Sequence, residues 1–324
     1  MTPSERRQRK LRQFLDRTAG ALRVDAEEAK ALLSLRRRAS VRVNRLTEQP
    51  AGEIARSLRD DGYPIEPIDW CADAYLLLDR KRELAESRWF KGGYVYIQNA
   101  SSLLPVLALD PRPGDAILDV CAAPGGKASH AASVIGGDGE LWVNDPIKPR
   151  VEKLQEVLAT FRVTPSNVSA HLGQYIDKFV PRTFDRVLLD AQCSGEGMLD
   201  LGHPNALRFW SLGRVLKYGQ LQRKMLAAAF KLLRPGGTLV YSTCSFAPEE
   251  NEQVVHHLLR YQRDAVVGDI DLRFPNRRSG LAEWEGSRFH PDLRKALRVQ
   301  PTEFMEGFFV CKLRKLPKEG RALP

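Results

Sequence analysis

The chain has 324 residues, of which 43% are hydrophobic and 28% are charged. This length is typical of two domains, and the apolar content is enough for a sizeable core, which excludes a wholly disordered chain and a small disulfide-stabilised protein. The 50 Lys and Arg residues exceed the 40 Asp and Glu residues, and the net charge of +10 favours anionic partners without indicating a fold.

The chain shows no membrane or secretion signal. No apolar run reaches the roughly 18 residues that a membrane span requires, and residues 1–10 are polar and basic. We therefore expect a soluble cytoplasmic protein that makes no membrane contact. The five cysteines are at least 50 positions apart, so we predict reduced thiols and no metal site.

The first third of the chain predicts a small mixed region. Apolar residues at helical spacing within 6–35 predict two short helices. Strand patterns at 41–44, 75–78 and 94–97, with a helix at 51–60, predict an α+β module. We assign residues 1–98 to this N-terminal region, in which residues 1–45 carry 13 basic and five acidic residues.

Residues 99–316 predict an α/β domain, and 317–324 a loose tail. Apolar strand patterns alternate with helical ones, which indicates a parallel sheet covered on both faces. The predicted strands are 116–120, 141–144, 168–172, 186–189 and 238–241, and the main helices are 127–134, 150–161 and 216–233. A last apolar run, 307–313, predicts an added edge strand.

A turn of small residues follows the first of these strands. It comprises Cys121, Ala122, Ala123, Pro124, Gly125, Gly126 and Lys127, and it leads into a helix. Small residues let a ligand approach the N–H groups of a helix N-terminus, so the turn suggests a nucleotide-like ligand. It matches neither G-x-G-x-x-G nor the phosphate loop, which disfavours NAD and ATP. A purely structural turn remains the alternative.

The next strand ends at Asp145, about 20 residues after the turn, where doubly wound folds place the acid that binds ribose hydroxyls. An N-cap role beside Pro146 is the alternative.

Two thiols follow the fourth and fifth strands. Residues 190–197 contain Asp190 and Cys193, and residues 242–245 contain Cys244. Ligands of open α/β sheets bind beyond the carboxyl ends of the strands, so we expect these three side chains to converge beside the ligand. Cys71 and Cys311 are interpreted as inert buried thiols.

These motifs resemble the Sun/Nop (RsmB-type) family of S-adenosylmethionine-dependent RNA cytosine-5 methyltransferases. The similarity extends over the chain through residues 42–44, 98–102, 121–127, 190–197, 234–237, 242–252 and 307–309. The resemblance implies a Rossmann-like class I methyltransferase sheet preceded by a small RNA-recognition-like domain.

The resemblance also implies roles for individual residues. Cys244 would be the nucleophile that adds to carbon 6 of cytosine, Cys193 would assist the final elimination, and Asp190 would hydrogen-bond the base. S-adenosylmethionine would be bound by residues 121–127, by Asp145 and Arg150, and by Asp190 and Gln174, with Gln174 replacing the acid that usually faces adenine. Gln192 replaces the proline that usually precedes the first motif cysteine, so the turn there is expected to differ.

The implied substrate is RNA, with ribosomal RNA or the small ribosomal subunit favoured over transfer RNA and with the enzyme acting as a monomer. A basic surface formed by residues 1–45 and the C-terminal basic residues would bind phosphates; the latter are Arg288, Arg294, Lys295, Arg298, Lys312, Arg314 and Lys315. The alternatives are a catalytically silent RNA-binding assembly factor, which would not need both thiols, and a DNA cytosine methyltransferase, which would carry one motif cysteine and a large insertion.

Overall fold

The computed structural model describes residues 2–317. Its α-helices are α1 (Pro3–Leu22), α2 (Ala26–Leu32), α3 (Ala51–Asp60), α4 (Lys81–Glu86), α5 (Arg88–Lys91), α6 (Leu104–Leu109), α7 (Gly126–Ile135), α8 (Lys148–Thr160), α9 (Leu212–Lys231) and α10 (Glu252–Tyr261). Its strands are β1 (Ala39–Val43), β2 (Ile65–Ile68), β3 (Cys71–Leu77), β4 (Val95–Gln98), β5 (Ala116–Asp119), β6 (Glu140–Asn144), β7 (Asn167–Ser169), β8 (Phe184–Asp190), β9 (Leu233–Thr243), β10 (Ala265–Val267), β11 (Arg277–Ser279), β12 (Glu283–Trp284), β13 (Ser287–Arg288), β14 (Leu297–Val299) and β15 (Phe308–Lys315).

A four-stranded antiparallel sheet occupies the N-terminal part, in the order β2-β3-β1-β4. Its core contains Val41 and Val43 of β1 together with Ile54 and Leu58 of α3, all fully buried. The alternation of strand and helical patterns predicted this α+β module. The sheet matters for the site because β4, its outer strand, leads directly into the main domain.

The main sheet has the order β11-β14-β15-β9-β8-β5-β6-β7, with β10 also paired to β15. Strands β5 to β9 run parallel. Val187 and Leu189 of β8 pack into a core shared with α9 and α10, whereas Leu188 faces the core shared with α6, α7 and α8. Helices therefore cover both faces, and the predicted α/β fold class is confirmed.

The expectation of an edge strand near residue 310 is wrong in its position. β15 pairs with β9 from Phe309 to Arg314 and with β14 and β10 on its other side. Irregular segments separate β10 and β14 from β15 in the chain, so local sequence pattern does not predict that these strands pair with β15. The predicted tail lies mainly outside the described residues.

Helices α1 and α2 pack against the segment that follows β8. The ring of Phe14 lies edge-on to Trp210 with centroids 5.2 Å apart, and Arg17 forms an ion pair with Glu249 at 2.6 Å. The Leu33 carbonyl accepts a hydrogen bond from the backbone N–H of Leu201 at 2.8 Å. The N-terminal helices thus support the loops beyond the carboxyl ends of β8 and β9.

Asn144 joins the carboxyl ends of three parallel strands. Its side-chain amide donates to the carbonyls of Val120 and His171 at 3.0 and 2.9 Å, and its Oδ1 accepts from the His171 N–H at 2.8 Å. Asn144 is fully buried. A buried amide with this many partners fixes the relative position of the loops after β5, β6 and β7.

Candidate active site

The loops after β8 and β9 bring two thiols into contact. The Sγ atoms of Cys193 and Cys244 lie 3.1 Å apart, although 51 positions separate the residues in the chain. The hydrogen bond with Cys244, together with burial, raises the pKa of Cys193 well above its ordinary value. Cys193 therefore keeps its proton at neutral pH, and its S–H is placed to donate to the sulfur of Cys244.

Asp190 lies beside this thiol pair at the end of β8. Its Oδ2 forms an ion pair with Lys127 Nζ at 2.6 Å, and its Oδ1 accepts a hydrogen bond from Ser242 Oγ at 2.7 Å. Burial is the largest single influence on the pKa of Lys127 and acts to lower it, but the hydrogen bond and charge of Asp190 together with Asp119 and Cys244 outweigh burial, and the pKa is raised. The pair keeps a cation and a carboxylate next to the two thiols.

The turn from Cys121 to Lys127 leads from β5 into α7 as the small residues suggested. Gly125 has a φ of +116°, a conformation that favours glycine. A Cβ on Gly126 would lie 2.8 Å from Cε1 of Tyr96, so glycine is needed for β4 to approach α7. The turn is therefore shaped by the neighbouring N-terminal sheet.

A cavity of about 270 Å³ separates this turn from β4. Its walls are Tyr96, Ile97, Gln98, Asn99, Ser102, Cys121, Ala122, Ala123, Pro124, Gly126, Lys127, Asp190 and Glu306. Burial raises the pKa of Glu306, against the opposing effect of Arg37, Lys127 and Lys81. The cavity thus contains two carboxyl groups and one ammonium beside an apolar turn.

Asp145 and Arg150 lie outside the walls of this cavity, on the other side of the turn. Arg150 donates a hydrogen bond to the Ala123 carbonyl at 2.8 Å and covers Asp145, whose side chain is fully buried. Asp145 Oδ1 accepts from the Ile147 N–H at 3.2 Å, but Oδ2 has no hydrogen-bond donor among the described residues, since Arg150 Nη1 lies 3.1 Å away outside hydrogen-bond geometry. Burial raises the pKa of Asp145.

Asp119, the last residue of β5, is a second buried acid of this region. Its Oδ1 accepts from the Cys121 N–H at 3.3 Å, whereas Oδ2 has no partner among residues 2–317. Burial raises its pKa to about 7. Asp119, Asp145 and Asp190 give this edge of the sheet a surplus of carboxyl groups, which suits a ligand that carries hydroxyls and a positive charge.

Gln174 lies in a 3-10 helix, Gly173–Lys178, that follows β7. Its side chain is half-buried, and its neighbours Leu172 and Phe179 are 51% and 55% exposed. The Phe179 ring stacks on His171 with centroids 4.2 Å apart. Gln174 is separate from the thiol pair and lies at the rim of the same sheet edge, beyond Asp145.

Residues 248–252, which the sequence marks only through the family resemblance, have a role that local sequence pattern does not reveal. α10 begins only at Glu252, and Glu249 and Glu250 are buried before it. Glu250 accepts hydrogen bonds from the loop that contains Cys193. A run of acids before a helix usually caps it, so no local signal distinguished this arrangement.

Cys71 and Cys311 are both buried. Burial raises the pKa of Cys71 to about 11 and raises the pKa of Cys311 still further. Trp210 is core, with its Nε1–H donating to Glu196 at 2.7 Å, whereas Phe209 is 70% exposed and is not core. The described residues contain no His, Cys, Asp and Glu cluster suited to a metal ion, and no helix among them is long and apolar enough to cross a membrane.

The chain is similar to known RNA methyltransferases. The family model described as 16S rRNA methyltransferase RsmB/F matches residues 106–314. The tRNA (cytosine(49)-C(5))-methyltransferase of Pyrococcus abyssi is 36% identical over 293 residues, which cover 90% of this chain and 92% of that protein. The ribosomal RNA small subunit methyltransferase F of Vibrio parahaemolyticus is 35% identical over 86% of this chain, which spans only 57% of that relative.

Solved structures agree with these matches. A methyltransferase homolog protein from Pyrococcus horikoshii superposes with a TM-score of 0.77 at 27% identity, covering 98% of this chain and all of that one. The ribosomal RNA methyltransferases F that were compared are longer proteins, and this chain spans 57–62% of their length.

Proposed function

Because the chain belongs to the RsmB/F family of 16S rRNA methyltransferases, we propose that it methylates carbon 5 of a cytosine in RNA with S-adenosylmethionine as donor. The observation that carries this proposal is the 3.1 Å contact between the Cys193 and Cys244 sulfurs, next to the Asp190 and Lys127 ion pair. A silent RNA-binding factor would need neither thiol in this position.

Cys244 acts as the nucleophile in this reaction. Its thiolate forms a bond to carbon 6 of the cytosine, and the electron pair of the 5,6 double bond makes carbon 5 nucleophilic. Negative charge develops on the ring at N3, where the Lys127 ammonium, which pairs with Asp190, stabilises it. The same carboxylate accepts a hydrogen bond from the exocyclic amino group of the base.

Cys193 acts in the second half of the reaction. Carbon 5 must lose its proton while the carbon–sulfur bond to Cys244 breaks and the double bond re-forms. Cys193 starts as a protonated thiol and must release its proton before it can accept the one from carbon 5. We therefore expect this elimination to accelerate as the pH rises.

S-adenosylmethionine fits the other half of the sheet edge, where it would supply an electrophilic methyl group. Asp145 Oδ2 has no hydrogen-bond donor of its own and is the natural acceptor for ribose hydroxyls. The small residues of the turn admit the ligand to the backbone, and the carboxyl groups of Asp119 and Asp190 favour a cation. Arg150 covers Asp145 and would have to move for the ribose to reach it.

A covalent adduct between the protein and RNA would test the proposed mechanism directly. Cys193→Ala should still add to the base and transfer the methyl group, but it should release the product slowly. We expect a covalent RNA–protein species that survives denaturing electrophoresis, together with transfer of radiolabelled methyl groups by the parent protein. Accumulation of the adduct with Cys244→Ala instead would reverse the two roles, and no transfer to any RNA would favour the silent factor.

We propose ribosomal RNA as the substrate on the family match and transfer RNA as the second candidate. The archaeal transfer RNA enzyme matches nearly its whole length to this chain, which favours the second candidate specifically. Unmodified small-subunit RNA and unmodified transfer RNA, methylated in parallel and mapped by bisulfite sequencing, separate the two. Modification confined to transfer RNA would overturn the first choice.

The RNA backbone would lie in a groove of about 630 Å³ between the segment before β1 and the turn after β3. Its walls include Arg36, Arg37, Arg38, Arg80, Lys81 and Arg82 against only Asp79 and Glu83. Arg37 has two buried guanidinium nitrogens, Nε and Nη2, without a partner among the described residues. Phosphate oxygens in the groove would pair with its exposed guanidinium groups, such as those of Arg36 and Arg82.

This groove, which we call the arginine groove, adjoins the cavity. Arg37 donates to the Met305 carbonyl at 2.8 Å, and the next residue, Glu306, is a cavity wall. Leu77 of the groove and Gln98 of the cavity lie on strands either side of β1, about 10 Å apart. Nucleotides beside the target base can therefore reach the groove.

The C-terminal basic residues do not form the single surface that was expected. Arg298 is buried, with its Nε 2.7 Å from Glu252 Oε1, and Lys315 Nζ donates to the Leu233 carbonyl at 2.9 Å. Arg314, by contrast, is exposed. Arg288 and Arg294 are exposed as well, so internal pairing removes only part of this set from a surface that could meet RNA.

The salt dependence of RNA binding tests the groove. Replacing Arg36 and Arg82 with Ala should weaken binding about tenfold and reduce the slope of log Kd against log salt by about 1.4. The matched control replaces two exposed arginines outside the groove, Arg278 and Arg314. Equal effects of both pairs would show that affinity follows net charge rather than the groove.

A further inference from the structure

The two catalytic loops share a repeated dipeptide. Cys193 is followed by Ser194, and Cys244 is followed by Ser245. The two serine hydroxyls lie 3.1 Å apart, the same separation as the two sulfurs. The loops are therefore in contact at two successive residues, one pair reactive and one pair polar.

Glu250 binds both serines. Its Oε1 accepts hydrogen bonds from Ser245 Oγ at 2.9 Å and from Ser194 Oγ, and its Oε2 accepts from the Ser194 backbone N–H at 2.8 Å. The side chain is fully buried. One carboxylate thus connects the residues that follow the two cysteines.

Gln222 of α9 completes the arrangement from the opposite side. Its Nε2 donates to Glu250 Oε2 at 3.0 Å and to the Gln192 carbonyl at 2.7 Å. Hydrogen bonds to Gln222 and Glu250 thus fix the residues on either side of Cys193, namely 192 and 194. The contact to Gln192 also supplies a fixed backbone position where the family usually has proline.

We propose that Glu250 is a positioning residue that sets the distance between Cys193 and Cys244. Its catalytic consequence rests on the proposed function, but the distance itself does not. Two thiols that act in turn on one base must stay within reach of the same carbon–carbon bond, and a displacement of about 1 Å can cost about 100-fold in rate.

The fold around the loops does not depend on Glu250 alone. The Ala191 N–H donates to the Ser242 carbonyl at 2.9 Å, and the Gly197 N–H donates to the Cys244 carbonyl at 2.8 Å. These backbone bonds continue the pairing of β8 with β9. Removal of the Glu250 carboxylate should therefore loosen the two loops without separating the strands.

The rate of disulfide formation measures the distance independently of catalysis. Diamide takes two electrons and two protons from the thiol pair and becomes a hydrazine, while a bond forms between the two sulfurs. Peptide mass spectrometry follows the Cys193–Cys244 product, and Cys193→Ser gives the blank. We expect Glu250→Ala to slow this reaction about tenfold and methyl transfer about 100-fold, with the KM for RNA unchanged.

Glu249→Gln is the matched control, because it removes a carboxylate one residue away. Glu249 pairs with Arg17 of α1 and hydrogen-bonds neither serine. Glu249→Gln should leave both rates unchanged, and Glu250→Gln should fall between the two because it keeps one acceptor oxygen. If Glu250→Ala does not fold, Ser194→Ala with Ser245→Ala removes the same hydroxyl bonds and should give the same slowing.

Wild-type rates of disulfide formation and methyl transfer in folded Glu250→Ala would overturn the proposal. If the parent protein transfers no methyl group to any RNA, the proposed function fails, but the disulfide rates still decide the role of Glu250.

Discussion

The carboxyl edge of the main sheet has two halves that differ in how their buried acids are satisfied. After β8 and β9, both oxygens of Asp190 and of Glu250 have partners within the protein. After β5 and β6, Asp119 and Asp145 each keep one buried oxygen without a hydrogen-bond donor among residues 2–317. The protein itself satisfies the two acids nearest the thiols, although Glu249 in the same half keeps a buried Oε2 without a partner among the described residues. In the other half only the Arg150 ion pair meets the open oxygen of Asp145, and none meets that of Asp119, so a ligand with hydroxyl groups would supply the missing donors.

Loss of the nucleophile in the thiol half should have the largest effect on the rate of methyl transfer. Cys244→Ala should reduce methyl transfer at least about 10⁴-fold, because no other group can form the bond to carbon 6. RNA affinity should stay within about twofold of the parent, since phosphate contacts dominate it. Radiolabelled transfer and filter binding measure the two quantities. Residual transfer above one-hundredth of the parent rate would remove Cys244 from the nucleophile role.

Loss of the Asp145 carboxylate should affect only the other half. Asp145→Ala should raise the Kd for S-adenosylmethionine about 100-fold, because two hydroxyl groups would lose a charged acceptor. RNA affinity and disulfide formation between Cys193 and Cys244 should not change. Calorimetry with S-adenosylmethionine alone measures the affinity, and Asp177→Ala, which removes a carboxylate that pairs with Lys231, is a control. Unchanged cofactor affinity would mean that Asp145 only stabilises the turn before α8, where its Oδ1 accepts from the Ile147 N–H.

The thiol half was predictable because a topological rule applies to it. Parallel strands end at one edge, so Asp190, Cys193 and Cys244 were expected together from their strand positions, and the sulfur contact follows that expectation. The role of Glu250 was not predictable, because acids before a helix resemble an N-terminal first turn. Tyr96 and Glu306 enter the cavity through contacts between distant segments, which no local periodicity records.

The stability of the protein should depend on pH through Asp119, a buried acid of the half that follows β5 and β6. Burial raises its folded pKa to about 7 from an ordinary value of 3.8, so the folded state binds the proton more tightly than the unfolded state. The stability that this group contributes is present at low pH and is lost as the pH rises through about 7.

Asp119→Asn lacks this titration. Its free energy of unfolding minus that of the parent should be larger, meaning a relatively more stable variant, at pH 8 than at pH 5 by about 2.5 kcal/mol. Denaturant unfolding at both pH values, without ligand, measures the difference. An identical offset at the two pH values would show that Asp119 is ionised in the folded protein throughout. Asp185→Asn is the control: the Asp185 carboxylate accepts from the Ala116 N–H and Arg234, its pKa is lowered below 3.8, and its offset should be the same at pH 5 and pH 8 because the stability it contributes is lost only at lower pH.

The smallest effect on cofactor affinity is expected at Gln174, which follows β7 at the outer end of the half that contains Asp119 and Asp145. Its side chain is half-buried and uncharged, so a hydrogen bond to adenine would contribute only about 1 kcal/mol. Gln174→Ala should therefore raise the Kd for S-adenosylmethionine about fivefold, against about 100-fold for Asp145→Ala, because the acceptor at Asp145 is charged and that at Gln174 is neutral. Gln174→Glu should restore or exceed the parent affinity, since a carboxylate accepts the adenine amino group more strongly than an amide does. If neither variant changes the affinity, adenine is held instead by the exposed apolar surface of Leu172 and Phe179, and Leu172→Ala would then weaken binding where Gln174→Ala does not.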